Sequence, residues 1–301
     1  MDTYTEKTRA WLDRRFDLTD ESGVFLAHQP IYGFRKGHSE PGFMDRYICT
    51  YHVMKALSLL EFDSLLDVGA AEGYKAFIAK DIFGNTSVAC DLSRQACRRA
   101  SEIFHLEAVV ADIHDLPFGD DRFDVVLCSE TLEHVADLQG AANELLRVAR
   151  KAVVITVPHE AAATVARNVE MEVPHAHIHS LDTRSFDFLQ RDGLRIIRTK
   201  MMSPSLGTTF RLFEAQLKEG GRLPALVVAL YNRTLPLFRR LLGIRAVSAI
   251  IRADEVVCEA SSNYQGLVFT LIKDSDAFER VRQTEVSIGR ILSYSVPYHV
   301  L

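Results

Sequence analysis

No apolar run in this chain of 301 residues approaches the roughly 20 residues that a bilayer-spanning helix requires. The first stretch, Met1 to Arg15, is charged and polar, which excludes the apolar core of a secretory signal. Cysteine is scarce: Cys49, Cys90, Cys97, Cys128 and Cys258 form no CxxC pair and no even set. Cys49, Cys90 and Cys128 sit inside apolar runs and read as reduced, buried thiols, which fits a soluble protein of the reducing cytoplasm. Positive charge is short as well. With 40 acidic against 35 basic residues the net charge is −5. That leaves no general basic footprint for nucleic acid, a local patch aside. What is there, 48% hydrophobic and 25% charged, is ordinary globular composition without internal repeats.

The chain divides into three regions. In residues 1–60, an N-terminal helical or lid segment, 28–42 is rich in Gly and Pro and reads as an ordered or closing loop. Residues 43–60 read as a helix, because Tyr47, Val53, Met54, Leu57 and Leu60 recur largely at three- and four-residue spacing. Residues 61–203 alternate short apolar runs (64–69, 87–92, 108–112, 123–129, 152–157, 194–199) with helical stretches (74–83, 93–104, 138–150, 183–191). Runs so short and so continuously apolar belong to a parallel sheet covered on both faces. Their alternation with helices predicts a doubly wound α/β sheet with right-handed crossovers. Residues 264–301 rejoin this domain, with an antiparallel strand over 265–273. Between them, 204–263 is too long for a structureless loop and reads as a helical insertion broken near Pro236 and Gly243.

The chemistry concentrates where strands end. An apolar strand runs into Asp67-Val68-Gly69-Ala70-Ala71-Glu72-Gly73, a glycine-bearing turn that opens a helix. Ligands of doubly wound sheets bind at such carboxyl ends, and glycines let them approach backbone N–H groups. The spacing is not the GxGxxG of dinucleotide sites, since Ala71 stands at the second glycine. The next strand ends at Asp91, 91 − 67 = 24 residues on, close to the roughly 20 expected between a nucleotide loop and its ribose-binding acid. One carboxylate can accept hydrogen bonds from two adjacent ribose hydroxyls. Asp112, after the third strand, is placed to accept from an amino group, with Ile113 offering an apolar face to a purine.

The phrases "LLDVGAAEG", "VVADIHDLPFGDDRFDVVLCSETLEHV" and "ELLRVARKAVVITVP" resemble class I S-adenosylmethionine methyltransferases, particularly the ubiquinone-biosynthesis-like group. The match runs from about Ser64 to Pro158, roughly a third of the chain. The resemblance implies a Rossmann-like fold binding S-adenosylmethionine and releasing S-adenosylhomocysteine. It implies Asp67, Gly69 and Gly73 around the methionine moiety, Asp91 on the ribose and Leu92 beside the adenine. It places Asp112 at the adenine amino group, Ile113 over the ring and Ser129 beneath the sulfonium. Ala71 departs from a common family glycine. Arg46 or Tyr47, upstream, is placed to meet the cofactor carboxylate.

A base is needed only if the acceptor loses a proton, and the candidates are His134, after the fourth strand, and His159, after the fifth. His134 lies in a family phrase, so capping its turn is an equal reading. His175, His177 and His179 alternate, and with Glu160, Glu170 or Glu172 could chelate a metal. The polar-loop reading is preferred and no metal is assigned. The insertion, apolar with interspersed arginines, reads as packing or homodimerisation, or as a lid or a surface helix meeting lipid. The expected function is transfer of a methyl group to oxygen or carbon of a small-molecule or lipid- or glycan-linked acceptor. The alternatives are a non-catalytic binder of the same cofactor and, further off, a nicotinamide-dependent oxidoreductase.

Overall fold

Each apolar run forms a strand: β1 (Ser64–Val68), β2 (Thr86–Asp91), β3 (Glu107–Val110), β4 (Phe123–Ser129), β5 (Ala149–Pro158), β6 (Arg195–Met201) and β7 (Gly266–Ile272). In this computed structural model, which describes residues 3–34, 43–171, 173, 175–206, 225–274 and 285–297, they make one sheet. Its order is β3-β2-β1-β4-β5-β7-β6. The first five strands are parallel, and β7 runs antiparallel to both β5 and β6. This is the doubly wound architecture expected from the alternation. β4 and β7 are buried along their whole length, whereas the edge strand β6 keeps Arg195, Arg198 and Thr199 exposed.

Successive strand residues point to opposite faces, and two apolar cores follow. Leu65, Val125, Leu127, Val154 and Val268 face one core, Leu66, Val126, Cys128, Val153 and Phe269 the other. The first core is closed by α2 (Phe43–Leu57), α3 (Tyr74–Phe83) and α4 (Arg94–Phe104). The second is closed by α5 (Leu138–Val148) and by Leu181, Phe186, Leu189 and Leu194. Ser93 caps α4 by accepting from Ala96 N, and Asp137 caps α5 by accepting from Gly140 N. All five cysteines are buried and free.

Several elements differ from expectation. The helix begun at Leu138 stops at Val148, because the chain enters β5 at Ala149. Over 183–191 only a 3-10 turn forms, Asp187–Leu189. Phe186 and Leu189 are both buried by that one turn, while Asp182 and Ser185 bond nearby backbone and side-chain groups instead of a helix. Helix α6 (Ala162–Glu170) buries Val165 alone, too little for a legible stripe.

Between β6 and β7 lie α7 (Ala225–Phe238) and α8 (Ile244–Ala260), with 207–224 outside the described residues. The insertion divides into two α-helices close to both expected positions, without a loop between them. Pro236 sits inside α7, and a π-helical turn, Arg239–Gly243, joins the two helices. Gly243 keeps helical torsions; a Cβ there would stand 2.4 Å from Phe34. Its smallness thus serves close packing against the N-terminal segment. Asp254 of α8 accepts from Met202 N (2.9 Å) and Ser203 N (2.6 Å), tying the insertion to the end of β6. A last helix, α9 (Ile288–Ser293), packs on α8 and α2. Of the 28–42 loop, residues 35–42 lie outside the described residues. Among the described residues, no helix is long and apolar enough to cross a membrane.

Candidate active site

Strand order reverses between β1 and β4, and two adjoining cavities open at the carboxyl ends there, as the doubly wound topology requires. The turn after β1 is built from left-handed residues: Gly69 (φ 74°), Ala71 (φ 49°) and Gly73 (φ 81°). At Gly69 a Cβ would lie 2.1 Å from the hydroxyl oxygen of Thr131, so the turn can press against the loop after β4 only as glycine. At Gly73 it would meet Ala100 and Leu106 at 2.9 Å, a packing demand of α4. Ala71 adopts its left-handed torsion despite carrying a Cβ, a cost of about 1–2 kcal/mol.

The first cavity, about 140 Å³, is walled by Val68, Gly69, Ala71, Asp91, Leu92, Asp112 and Ile113 from the strand ends. Asp91 is set by two backbone donors: Ala71 N to Oδ2 at 2.9 Å and Ser93 N to Oδ1 at 2.8 Å. Each oxygen keeps a second lone pair for a ligand. Burial pushes the Asp91 carboxyl up to about 7, against the pull of those two N–H groups. Asp112 accepts from His114 N at 3.0 Å and is paired with His114 Nδ1 at 2.7 Å. Over this cavity lies α1 (Thr3–Arg15), which contributes Thr5, Thr8 and Leu12 to the wall. It is held down at two points. Arg9 Nε donates to Leu92 O (3.2 Å), and Ser93 Oγ donates to Asp13 Oδ1 (2.6 Å).

The second cavity, about 540 Å³, is lined by His28, Asp45, Arg46, Lys75, Glu130, Glu133, His134, His159, Glu160 and His177, among others. Glu130, His134, His28 and His175 belong to both walls and mark the junction. Glu130 follows β4 with φ 54°, a torsion sparse for non-glycine residues and characteristic of functional sites. Its Oε1 accepts from Thr156 at 2.9 Å, while burial raises its carboxyl pKa. His134 lies in a 3-10 turn, Leu132–His134, and donates from Nδ1 to Ala176 O at 3.1 Å. Nε2 is therefore its lone-pair nitrogen. Burial pushes the His134 imidazole down to about 2, and the neighbouring His175 and His177 add to this. His175 stacks between His134 (3.8 Å) and Trp11 (4.7 Å), joining α1 to the junction. His159 donates from Nδ1 to Leu181 O (2.6 Å) and lies against the Tyr264 ring.

The structure thus gathers Gly69, Ala71, Asp91, Leu92, Asp112, Ile113 and His134 round the first cavity, and places Arg46, His134 and His159 on the second. Tyr47, the alternative to Arg46, is buried away from both walls, and three further expected residues stand back from them as well. Asp67 is buried beneath the turn, where burial lifts its carboxyl to about 6. Gly73 faces α4. The Ser129 hydroxyl is taken up by Thr156 Oγ1 at 2.7 Å, and the next residues, Glu130 and Thr131, reach the wall instead. The alternating histidines do not share one face: His179 bonds Val135 O at 2.7 Å, His175 stacks, and His177 stands beside Glu160 at 3.2 Å. Sequence reading missed Glu130 and Glu133, although their place directly after β4 was a usable signal. It also missed the wall residues of α1, whose polar sequence carries none.

Residues 66–157 match a family model described as a methyltransferase domain. A fatty-acid O-methyltransferase from Mycolicibacterium smegmatis is 33% identical over 144 residues, covering 44% of this chain and 51% of that protein. The chloroplastic tocopherol O-methyltransferase of Arabidopsis thaliana is 32% identical over 92 residues, covering 28% of this chain and 26% of the relative. This chain therefore spans about half the length, or less, of these curated relatives. Among solved structures, geranyl diphosphate C-methyltransferase from Streptomyces coelicolor, in complex with Mg2+, geranyl diphosphate and S-adenosyl-L-homocysteine, shares the fold. The TM-score is 0.52 at 16% identity, over 90% of this chain and 98% of that one.

Proposed function

We propose, from the match of residues 66–157 to a methyltransferase-domain family model, that this chain transfers a methyl group from S-adenosylmethionine to a small acceptor in the second cavity. The supporting observation is the pair of adjoining cavities at the switch point, with Asp91 in one and the ring of His134 between them. The first cavity suits an adenosine. Asp91 has lone pairs for two ribose hydroxyls, Asp112 is an acceptor for the adenine amino group, and Leu92 and Ile113 are apolar flanks. Gly69 keeps the floor low, because any Cβ there would displace Thr131.

S-adenosylmethionine, when bound, supplies a methyl on a sulfonium, already a good leaving centre. The protein's part is to hold the acceptor in line and to exclude water. Trp11, His175 and His134 form the stacked partition beside the junction, and α1 covers the first cavity. Where the acceptor must lose a proton, His159 is the better base. Its donated Nδ1–H leaves Nε2 to accept, and it lines the acceptor cavity. His134, pushed down to about 2, is a weak proton acceptor at neutral pH.

The acceptor class is apolar or lipid-linked in this reading. Leu226, Leu230, Leu237 and Leu241 are exposed along one side of α7 and the π turn, with Arg233 and Arg240 exposed nearby. A greasy stripe with flanking cations is how a helix lies in a lipid interface. The test is calorimetry with S-adenosylmethionine, S-adenosylhomocysteine and NAD side by side, followed by methyl-transfer screening over fatty acids, phenols and prenyl phosphates. Binding of NAD alone would overturn the proposal. Cofactor binding with no turnover on any acceptor would favour the non-catalytic alternative.

A further inference from the structure

We infer that the second cavity is a divalent-cation site whose protein ligands are Glu133, His134 and His177. One ligand atom from each of the three lies within 4.8 Å of the others. His134 Nε2 is already 3.7 Å from Glu133 Oε1. Donors around a common ion at about 2.1 Å sit roughly 3–3.5 Å apart, so small side-chain rotations complete the set.

The independent sign is Glu133. It is 1% exposed, and its Oε2 has no hydrogen-bond partner. A carboxylate stripped of water and left unpaired is strongly disfavoured, and such groups in proteins are paired, protonated or bound to metal. His134 stands within salt-bridge reach of the other oxygen, Oε1, at 3.7 Å. The cavity wall as a whole is acidic: Asp45, Glu130, Glu133 and Glu160 face Arg46 and Lys75. A cation answers both the orphaned oxygen and the surplus of negative charge.

The His134 imidazole is oriented as a metal ligand is. His134 commits Nδ1–H to the Ala176 carbonyl, which aims the Nε2 lone pair the other way. His177 Nδ1 lies 3.2 Å from Glu160 Oε2, a carboxylate outside the ligand set, without a hydrogen bond between them. A carbonyl behind a ligating histidine, as Ala176 O is behind His134, fixes ring orientation and raises basicity. Two imidazole nitrogens and one carboxylate suit Zn2+, Mn2+ or Fe2+ better than Mg2+, which prefers an all-oxygen shell. Three protein ligands leave coordination positions open to the cavity. There a hydroxyl or carboxylate oxygen of the acceptor would complete the shell; this last role rests on the methyl-transfer reading, while the cation site does not.

The test uses the full chain, chelator-treated, titrated calorimetrically with Zn2+, Mn2+ and Mg2+. One ion per chain is expected, with Zn2+ and Mn2+ tighter than Mg2+. Glu133→Gln and His177→Ala should each weaken binding by about 100-fold. His179→Ala should bind as the parent does, because His179 is turned to Val135 O. S-adenosylhomocysteine affinity, measured on the same variants, should stay within about twofold, since neither Glu133 nor His177 lines the first cavity. That readout separates failure of the cation site from failure of the cofactor assignment. Spin-echo spectra of the Mn2+-loaded parent should carry imidazole-nitrogen coupling, which needs no variant to fold. No stoichiometric binding, unchanged binding in both variants, or a spectrum without nitrogen coupling would overturn the inference.

Discussion

Cofactor affinity should depend on pH through Asp91. Burial holds the carboxyl at about 7 in the folded chain, against about 3.9 for an exposed aspartate. Ribose hydroxyls donate to the ionised form, whereas a protonated carboxyl loses acceptor capacity. Binding therefore draws on the ionised fraction, roughly nine-tenths at pH 8 and one-tenth at pH 6, so affinity falls about tenfold across that interval. Two hydrogen bonds to a charged acceptor are worth about 1.5–3 kcal/mol each, so Asp91→Asn should weaken binding at pH 8 by about 10²–10⁴-fold. The variant should also lose the pH step. Isothermal calorimetry with S-adenosylhomocysteine at pH 6, 7 and 8 reads both effects. The same group shapes stability. Its folded pKa exceeds its unfolded one, so the unfolded chain releases its proton first, and stability falls as pH rises from about 4 to about 7. Asp91→Asn should flatten that decline in thermal unfolding. Parent affinity that is constant from pH 6 to 8, or a step that persists in Asp91→Asn, would refute the assignment.

Gly69→Ala combines a left-handed torsion with a clash on Thr131 and should cost about 2–4 kcal/mol in chemical denaturation, with Thr131→Ala restoring part of it. His159→Ala should lower turnover by about 10²–10⁴-fold on a hydroxyl acceptor while S-adenosylhomocysteine affinity holds, because His159 lines only the second cavity. Equal losses in both would make it a structural residue. Replacing Leu226, Leu230 and Leu237 by Ser should abolish sedimentation with anionic vesicles without shifting the unfolding temperature, as all three are exposed; parent protein that ignores vesicles but dimerises would replace the lipid reading with a protein interface.

Strands β1, β2 and β4 were legible because continuous apolar runs ending in Asp67, Asp91 and Ser129 combine burial on both faces with a polar stop. Asp91 was legible for the same reason, its position at a strand end being fixed by topology. Ser129 shows the limit: a strand end is readable, but whether its side chain turns to the cavity or to a neighbouring strand depends on Thr156, 27 residues away. The helix expected over 183–191 failed because Phe186 and Leu189 satisfy three-residue spacing in a 3-10 turn as well as in an α-helix. Helix α1 could not be placed from its own residues. What holds it, Leu92 O and Ser93 Oγ, lies some 80 positions downstream.

Those two fastenings set a clock. A nucleoside lodged against Asp91 would lie beneath α1, and displacing that helix breaks Arg9–Leu92, Asp13–Ser93 and the Trp11–His175 stack together. Under the methyl-transfer proposal, exchange past α1 should be slowed in proportion to how rarely those contacts are released together. In that proposal the same contacts should slow release of the product nucleoside, a rate that stopped-flow displacement reads directly. Loosening them, as in Asp13→Ala, should quicken exchange in both directions while leaving the occupied cavity chemically unaltered.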